Sequence, residues 1–217
     1  MKIIAFIPLR KGSKRIKNKN IKKIAGMPLY QHVTQKAIKS KYISKVVIAS
    51  DIINLNLPKN KKLELFKRSK NNATDKSQTE EVVREYLEKN LCDYCILIQA
   101  TNIFLLTEDL DKAIYKMLNS KYDSLLSVVK SIHFFWKIKK NKLIPINYNF
   151  KKRPFSQQNK SKEYIENGSF YIFKRKNFLK FNNRLHGKIT YYEMDKRSIF
   201  EIDDPEDLDI VKKIMKK

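Results

Sequence analysis

Residues 3–20, IIAFIPLRKGSKRIKNKN, decide the fold that we predict for this chain. The apolar run from Ile3 to Ile7 stops at Pro8, and a short apolar segment ended by turn residues is typical of a strand buried in a parallel sheet. The loop that follows would then lie at the carboxyl end of the strand, where open α/β sheets bind their ligands. This basic loop, residues 10–20, contains six cations: Arg10, Lys11, Lys14, Arg15, Lys17 and Lys19.

The composition of the basic loop favours a site for phosphate groups. Gly12 lets backbone N–H groups approach an anion closely, and a polar turn around Gly12 and Ser13 can form an anion-binding nest. The cations would add charge-assisted hydrogen bonds to several phosphates. The loop contains neither GxxxxGKS/T nor GxGxxG. A solvated basic turn in a lysine-rich protein explains the same residues, so the loop alone leaves both interpretations open.

The rest of the chain alternates strands and helices. Pro28 opens a helix over about 28–40, and a buried strand follows at 46–49, an order that predicts parallel strands joined by a right-handed crossover. We therefore predict an α/β fold with a three-layer, Rossmann-like, mostly parallel sheet. The other predicted elements are strands at 63–66, 94–99, 123–129 and 191–194, and helices at 79–90, from 107 onward and at 208–215.

Residues 130–180 depart from this alternation. They are rich in Tyr, Phe and Lys, with candidate strands at Trp136–Ile138 and Phe170–Phe173. We interpret them as a small, antiparallel, β-rich insertion that either covers the site, where it would bind sugar, or pairs with a second subunit. No internal repeat or low-complexity linker is visible, so residues 1–217 are predicted to form a single domain.

The net charge of +25 is the unusual feature of the composition. Such an excess suggests an anionic partner such as a nucleotide, a nucleic acid or a membrane surface. The lysines are spread along the chain instead of forming one basic tail. We therefore interpret most of the charge as surface background and as weak evidence for RNA binding.

Cysteine content and hydropathy indicate the compartment. Cys92 and Cys95 form a lone CxxC without further zinc ligands at suitable spacing, and we interpret both as packing residues. The apolar run after Met1 and Lys2 is too short for a signal peptide, and no segment approaches the ~20 apolar residues of a membrane span. We expect a cytoplasmic protein.

The basic loop carries a family resemblance. Residues 8–20, PLRKGSKRIKNKN, resemble the PARxGSKxIPxKN signature of the acylneuraminate cytidylyltransferases, also called CMP-sialic acid synthetases. The resemblance implies a nucleotidyltransferase sheet in which the basic loop binds CTP. It also implies that Arg10 and Lys19 are catalytic residues that neutralise phosphate charge. The nucleotide contacts that it implies here are Leu9, Arg10, Gly12, Ser13, Lys14, Lys19 and Asn20. Leu9 stands where the family has alanine, and Lys17 where it has proline.

Two segments further along resemble the same family. Residues 66–79, FKRSKNNATDKSQT, are similar to its RPxxLAxD…S/T segment, which implies that Arg68 and Thr79 recognise cytosine together with Asn20. A surface arginine and a helix cap are the alternative. Residues 97–110, LIQATNIFLLTEDL, resemble LLQPTSPLRTxED, which makes Gln99 a catalytic and sugar-binding candidate and Thr101 a sugar-binding one. The departures from that pattern are Ala100, Asn102, Ile103 and Leu105.

A third segment points to the sugar. Residues 164–172, YIENGSFYI, resemble YRENGAIYI, which makes Asn167 and Tyr171 candidate sugar contacts. The preceding segment is usually rich in arginine and here holds Arg153, Gln157 and Gln158. Of these three we expect Arg153 to meet the substrate carboxylate.

A fourth segment points to a metal. Residues 200–208, FEIDDPEDL, resemble IDIDTPEDL, in which two carboxylates bind magnesium. Alternation along a strand puts Glu201 and Asp203 on one face, so the pair is predicted to hold Mg²⁺. A plain acidic turn, with Asp204 capping the following helix, is the alternative.

The resemblance implies transfer of CMP from CTP to the C2 hydroxyl of a nine-carbon nonulosonic acid, by a homodimer that binds neither nucleic acid nor membrane. Transfer to an eight-carbon octulosonic acid is an alternative, although that family shows arginine-leucine-proline before its lysine, unlike the Lys19-Asn20 pair here. A non-catalytic RNA-binding module, motivated by the net charge, is the alternative from another class; it would show a steep salt dependence.

Overall fold

A computed structural model describes residues 1–74, 76–155 and 163–215. The strands are β1 (Ile3–Leu9), β2 (Lys23–Ile24), β3 (Met27–Pro28), β4 (Lys45–Ser50), β5 (Leu63–Lys67), β6 (Tyr94–Ile98), β7 (Ser124–Lys130), β8 (Trp136–Lys139), β9 (Lys142–Pro145), β10 (Tyr164–Lys174) and β11 (Ile189–Glu193). The helices are α1 (Leu29–Lys39), α2 (Thr79–Lys89), α3 (Thr107–Leu118), α4 (Arg175–Phe181) and α5 (Pro205–Met215).

Seven of the strands form one sheet in the order β11-β7-β10-β6-β1-β4-β5. Strand β1 lies inside it, parallel to β4 on one side and to β6 on the other, and β5 and β11 also pair in parallel. Strand β10 runs antiparallel to its neighbours β6 and β7. The predicted α/β fold with a mostly parallel sheet is therefore confirmed.

Apolar side chains cover both faces of this sheet, which is why its central strands are apolar throughout. Alternate residues of β1 enter different clusters: Ile3, Ala5 and Ile7 face α1 and α3, whereas Ile4 and Phe6 face α2 and α4. Strand side chains alternate between faces, so one continuous apolar run supplies two layers of core. The three-layer arrangement follows from that alternation.

Two predictions for residues 130–180 need correction. The strand predicted at Phe170–Phe173 belongs to β10, which lies inside the main sheet and not in an insertion. Helix α4 follows it and was not predicted. The antiparallel extension does exist, but it consists of the hairpin β8–β9, which includes the strand predicted at Trp136–Ile138.

The basic loop is packed onto the last helix by a separate apolar cluster. Ile16 from the loop and Ile202 and Val211 from the other end of the chain are buried in it. Its remaining buried members are Ile24, Leu29, Ile103 and Leu208. Burial of this apolar surface brings the two ends of the chain together at one edge of the sheet. None of the helices in the described part of the chain has the length and apolar character needed to cross a membrane.

Candidate active site

A cleft of about 350 Å³ lies at the edge of the sheet where β1 and β6 end. The basic loop forms one wall, the segment that follows β6 forms another, and Asp203 comes from the turn before α5. The residues that line this main cleft are Pro8, Arg10, Ser13, Lys14, Arg15, Ile16, Lys19, Asn20, Gln99, Ala100, Thr101 and Asp203. The ligand site predicted at the carboxyl ends of the strands thus coincides with a real cleft.

Hydrogen bonds to neighbouring segments fix the shape of the basic loop. The backbone N–H of Lys11 donates to Oδ1 of Asp51 at 2.8 Å, which ties the loop to the end of β4. The side-chain amide of Asn20 donates to the carbonyl of Arg10 at 2.9 Å and closes the loop on itself. The cations are therefore carried by an anchored segment and not by a free tail.

Lys19 and Asp203 meet directly in the main cleft. Nζ of Lys19 lies 3.0 Å from Oδ1 of Asp203 and donates to the carbonyl of Ile202 at 2.9 Å. The other carboxylate oxygen of Asp203 lies 3.1 Å from the guanidinium of Arg15. Burial would raise the pKa of Asp203, but the two cations outweigh it and hold that pKa below its ordinary value. This carboxylate is therefore charged at neutral pH.

Glu201 sits deeper, against Gly168. A Cβ on Gly168 would overlap the carboxylate of Glu201, and Gly168 has a φ of 61°, so glycine is suited to this position for two reasons. Burial raises the pKa of Glu201 to about 7; the charge of Asp203 adds to this, whereas Lys19 and a hydrogen bond with Thr101 oppose it. The two acidic residues are thus close enough to affect each other electrostatically.

The donor set fits a magnesium ion. Carboxylate oxygens are the ligands that Mg²⁺ prefers, and it commonly takes only one or two of them from the protein and completes its shell with substrate phosphates and water. Glu201 and Asp203 supply two such groups beside a cleft rimmed with cations. The described residues contain no cluster of three or more metal-ligating side chains, so a fully protein-enclosed metal site is not formed by them.

A side pocket of about 280 Å³ adjoins the main cleft and shares Pro8, Arg10 and Gln99 with it. Arg68 and Thr79, predicted to recognise cytosine, both line this side pocket. The guanidinium of Arg68 donates to the carbonyls of Leu9 and Asn72, while its buried Nε has no hydrogen-bond partner in the part of the chain that the structure describes. Asn20, the third residue of this prediction, lines the main cleft.

Two of the predicted nucleotide contacts differ from the rest. The side chain of Leu9 is fully buried in the core that faces α1 and α3, so only its backbone is placed to contact a nucleotide, and that contact stays a prediction. Gly12 is exposed and, unlike the other three glycines, does not have a positive φ. Its contact with phosphate stays a prediction.

Of the five predicted sugar contacts, Gln99 and Thr101 line the main cleft. The other three, Asn167, Tyr171 and Arg153, do not line it. Asn167 is only 2% exposed, and its amide donates to Oγ of Ser198 at 2.8 Å, so its side chain is occupied inside the protein. Tyr171 is buried on the face that packs against α2, where its hydroxyl donates to Glu166. The register of β10 shifts between Glu166 and Tyr171, so the family pattern does not show which way these side chains point.

Arg153 lies apart from the main cleft as well. Its guanidinium stacks 4.8 Å from the ring centroid of Phe134, in an aromatic recess beside the β8–β9 hairpin. Within one chain, therefore, the structure does not bring Arg153 to Gln99 and Thr101. Gln157 and Gln158, the other candidates for the carboxylate contact, lie outside the described residues.

Sequence reasoning missed an ion pair near the start of α2. Arg184 binds Glu80 through two hydrogen bonds of 2.6 and 3.0 Å, and its guanidinium stacks 4.8 Å from the ring centroid of Tyr171. Burial would raise the pKa of Glu80, but the hydrogen bond and charge of Arg184 keep it below the ordinary value. Glu80 is next to Thr79, so this pair helps to fix one wall of the side pocket. The partners are 104 positions apart in the sequence, which explains why no local pattern indicated the pair.

Comparison with known proteins identifies the family to which the chain belongs. The sequence profile of the family described as Cytidylyltransferase matches residues 4–217. The chain belongs to the cytidylyltransferase family. This confirms the resemblance inferred from the basic loop and the four downstream segments.

Individual relatives give the same result. The chain is 35% identical over 209 residues to N-acylneuraminate cytidylyltransferase A of Danio rerio, an alignment that covers 93% of this chain and 48% of that protein. It is 27% identical over 229 residues to a pseudaminic acid cytidylyltransferase of Campylobacter jejuni, covering 100% of this chain and 97% of that one. The chain thus spans about half the length of several relatives that it matches and nearly all of others.

Solved structures share the fold. A CMP:2-keto-3-deoxy-manno-octonic acid synthetase, solved in complex with CTP, superposes with a TM-score of 0.69 at 16% identity, over 100% of this chain and 99% of that one. A 4-diphosphocytidyl-2C-methyl-D-erythritol synthase from Anaerococcus prevotii gives a TM-score of 0.72 at 12% identity, over 100% and 96%. At such identities the likeness supports the cytidylyltransferase fold and nothing finer.

The Glu80–Arg184 pair generates a pH-dependent prediction. Arg184→Gln should lower the free energy of unfolding at pH 7 by about 1.5–3 kcal/mol, the range for a hydrogen bond to a charged group. The pKa of folded Glu80 lies below its ordinary value of 4.5, so the contribution of the pair is present above that pH and is lost as the pH falls through the folded-state pKa. Urea unfolding of the wild type and the variant, at pH 7 and at about pH 3, measures the difference in their free energies of unfolding at each pH.

The matched control is Lys212→Gln, which removes an exposed pair with Asp209 on α5. It should change the free energy of unfolding by less than about 0.5 kcal/mol at either pH, as solvent-exposed ion pairs do. An Arg184→Gln deficit that stays constant from pH 7 to about pH 3 would contradict the electrostatic account of the pair.

Proposed function

We propose that this protein transfers CMP from CTP to the C2 hydroxyl of a nine-carbon nonulosonic acid and releases pyrophosphate. The observation that carries the proposal is the contact between Lys19 and Asp203, because it puts a cationic loop and an acidic turn in one cleft. Relatives named for N-acylneuraminate and pseudaminic acid, aligned over most of this chain, support the substrate class. We also propose a cytoplasmic location, because the proposed reaction consumes CTP.

The reaction needs positioning and charge neutralisation more than covalent help from the protein. The sugar hydroxyl oxygen bonds to the α-phosphorus of CTP, the bond from that phosphorus to the bridging oxygen breaks, and the hydroxyl proton passes to solvent. In this proposal Arg10 and Lys19 neutralise charge on the α-phosphate and on pyrophosphate. Ser13 and Lys14 bind the outer phosphates, because all four side chains line the main cleft.

We assign the acidic residues to a cofactor. Glu201 and Asp203 would hold Mg²⁺, which when bound polarises phosphoryl oxygens and neutralises their charge. Lys19 and Arg15 keep Asp203 charged at neutral pH, and its oxygens would become available to the cation when these two side chains turn to the phosphates of CTP.

Substrate recognition divides between the two cavities. We assign cytosine to the side pocket, where Arg68 and Thr79 lie, and the sugar to the end of the main cleft formed by Gln99 and Thr101. The family arginine at position 105 is replaced by Leu105, which is fully buried in the core and cannot contact a ligand. This wall therefore lacks one guanidinium, so the acid that it prefers need not be N-acetylneuraminic acid.

The direct test is pyrophosphate release from CTP and Mg²⁺ with a panel of acids: N-acetylneuraminic, legionaminic, pseudaminic and 3-deoxy-octulosonic acid. The proposal expects release with at least one nine-carbon acid and little with the eight-carbon acid. Release with the eight-carbon acid alone would replace the proposed substrate class. No release with any acid, together with salt-sensitive binding to RNA, would support the non-catalytic alternative and overturn the proposal.

Lys19→Ala tests the assigned role of the basic loop. We expect kcat to fall on the order of 10²–10³-fold, the effect of removing one preorganised donor in other enzymes. Lys22→Ala, which removes an exposed lysine three residues later, is the control and should leave kcat unchanged. Equal rates for the two variants would remove Lys19 from the chemistry.

We also propose that the chain forms a homodimer through the β8–β9 hairpin. This hairpin pairs with no other described strand, and an isolated two-stranded hairpin is marginally stable in water. Ile138 and Leu143 on it are 76% and 63% exposed, and Trp136 and Phe150 nearby are also exposed. A second copy of the same hairpin would cover these side chains in a symmetric contact, the commonest form of soluble oligomer.

Sedimentation velocity tests the dimer. The wild-type chain should sediment with twice the mass of one chain at micromolar concentration, and the double variant Ile138→Lys with Leu143→Lys should sediment as a monomer. Leu91→Lys replaces a side chain that is 73% exposed elsewhere and should leave the dimer intact. A monomeric wild type, or a dimer that survives the double variant, would contradict the proposed interface.

A further inference from the structure

Three buried polar side chains lie beside the candidate active site and take no part in the proposed chemistry. They are Asn102, Asn167 and Ser198, each 2% exposed or less. Asn102 follows β6, Asn167 belongs to β10, and Ser198 lies in the 3₁₀ turn Lys196–Ile199 just before Glu201. Buried polar groups are stable only when they bind partners, so their contacts show which segments they hold together.

The three side chains form one hydrogen-bond network. The amide of Asn102 donates to the carbonyl of Ser198 at 2.6 Å and to the carbonyl of Asn167 at 3.2 Å. The amide of Asn167 donates to Oγ of Ser198 at 2.8 Å, and that hydroxyl donates to the carbonyl of Asp195 at 2.6 Å. The network therefore ties together three segments that are 31 to 96 residues apart in sequence.

The acidic pair, Glu201 and Asp203, follows Ser198 of this network closely in the sequence. Three residues separate Ser198 from the backbone N–H of Ile202, which lies between Glu201 and Asp203 and donates to the carbonyl of Thr101 at 3.1 Å. On the other side, Gly168 follows Asn167 and leaves the space that the Glu201 carboxylate fills. A shift of the Lys196–Ile199 turn would move both acidic residues relative to the main cleft.

One detail argues against a purely structural role. Oδ1 of Asn102 is buried and has no hydrogen-bond partner among the residues that the structure describes. A buried polar atom without a partner costs about 1–3 kcal/mol, so stability alone would favour a different residue here. Asn102 also stands where the resembled family pattern has serine.

We propose that Asn102, Asn167 and Ser198 are positioning residues that hold Glu201 and Asp203 in register with the basic loop. The inference rests on the proposed function, because it takes the acidic pair to bind the divalent cation. Groups that orient the ligands of a metal change metal affinity by about 10–100-fold when they are removed. The same magnitude applies here if the network sets the position of the two carboxylates.

The test uses Ser198→Ala and Asn102→Ala in the full chain, with Mn²⁺ as the probe. Free Mn²⁺ is measured by electron paramagnetic resonance during titration of the protein in the presence of CTP, and Mg²⁺ dependence of pyrophosphate release is measured in parallel. Both variants should raise the Kd for Mn²⁺, and the Mg²⁺ concentration for half-maximal rate, on the order of 10-fold. KM for CTP at saturating Mg²⁺ should stay near the wild-type value.

Ser124→Ala is the matched control. Ser124 is also fully buried, and its hydroxyl donates to the carbonyl of His186 at 2.8 Å and accepts from the backbone N–H of that residue at 3.0 Å. It lies at the start of β7, whereas the main cleft lies where β1 and β6 end. This variant should lower Tm about as much as Ser198→Ala and leave Mn²⁺ affinity unchanged. Asn102→Ala removes both hydrogen bonds that the amide donates together with the unpartnered Oδ1, so it is the second variant should Ser198→Ala not fold.

The outcomes separate the inference from the function on which it rests. Wild-type Mn²⁺ affinity in both variants, or an equal loss in Ser124→Ala, would overturn the positioning role and leave the proposed function standing. A wild-type protein that takes up no Mn²⁺ with CTP and releases no pyrophosphate would overturn the proposed function itself, and the positioning role with it.

Discussion

The contact between Lys19 and Asp203 is the constraint on which the candidate active site depends. It joins the first loop of the chain to the turn before the last helix, 184 residues away. The ion pair itself adds little stability, since the Asp203 side chain is 43% exposed and such pairs contribute about 0–1 kcal/mol. The basic loop and the C-terminal segment are held together mainly by the apolar cluster, in which Ile16, Ile202 and Val211 are buried from water. The apolar contact brings the ends together, and the charges set how they face the cleft.

This arrangement gives the cleft both signs of charge. Lys19 and Arg15 hold Asp203 ionised, while burial raises the pKa of Glu201 to about 7, so the two acidic residues sit in different electrostatic environments. In the proposed reaction, an entering triphosphate would offer Lys19 and Arg15 new anionic partners and would free Asp203 for a cation. Phosphate binding and cation binding would then be coupled in one cleft, as a reaction that depends on positioning and charge neutralisation needs.

The sequence predicted the parts of this fold that depend on local pattern. The apolar run of β1, the positions of α1 and α2 and the parallel order of β1 and β4 follow from periodicity and chain order. The place of β10 did not follow, because an apolar strand has the same pattern whether it joins a central sheet or an insertion. The burial of Asn167 and Tyr171, the predicted sugar contacts, could not be predicted for a related reason: it depends on the pairing and register of β10, which shifts between Glu166 and Tyr171. Contacts such as Arg184 with Glu80 depend on tertiary packing that no short motif encodes.

The central claim is that the basic loop and the acidic pair meet around one nucleotide and one cation. A crystal structure of the protein with CTP and Mn²⁺, with the metal located by anomalous scattering, tests it most directly. The account predicts a Mn²⁺ peak bonded to carboxylate oxygens of Asp203 and Glu201, beside a triphosphate that lies along residues 10–20. A triphosphate bound elsewhere, or a metal peak distant from both carboxylates, would contradict it.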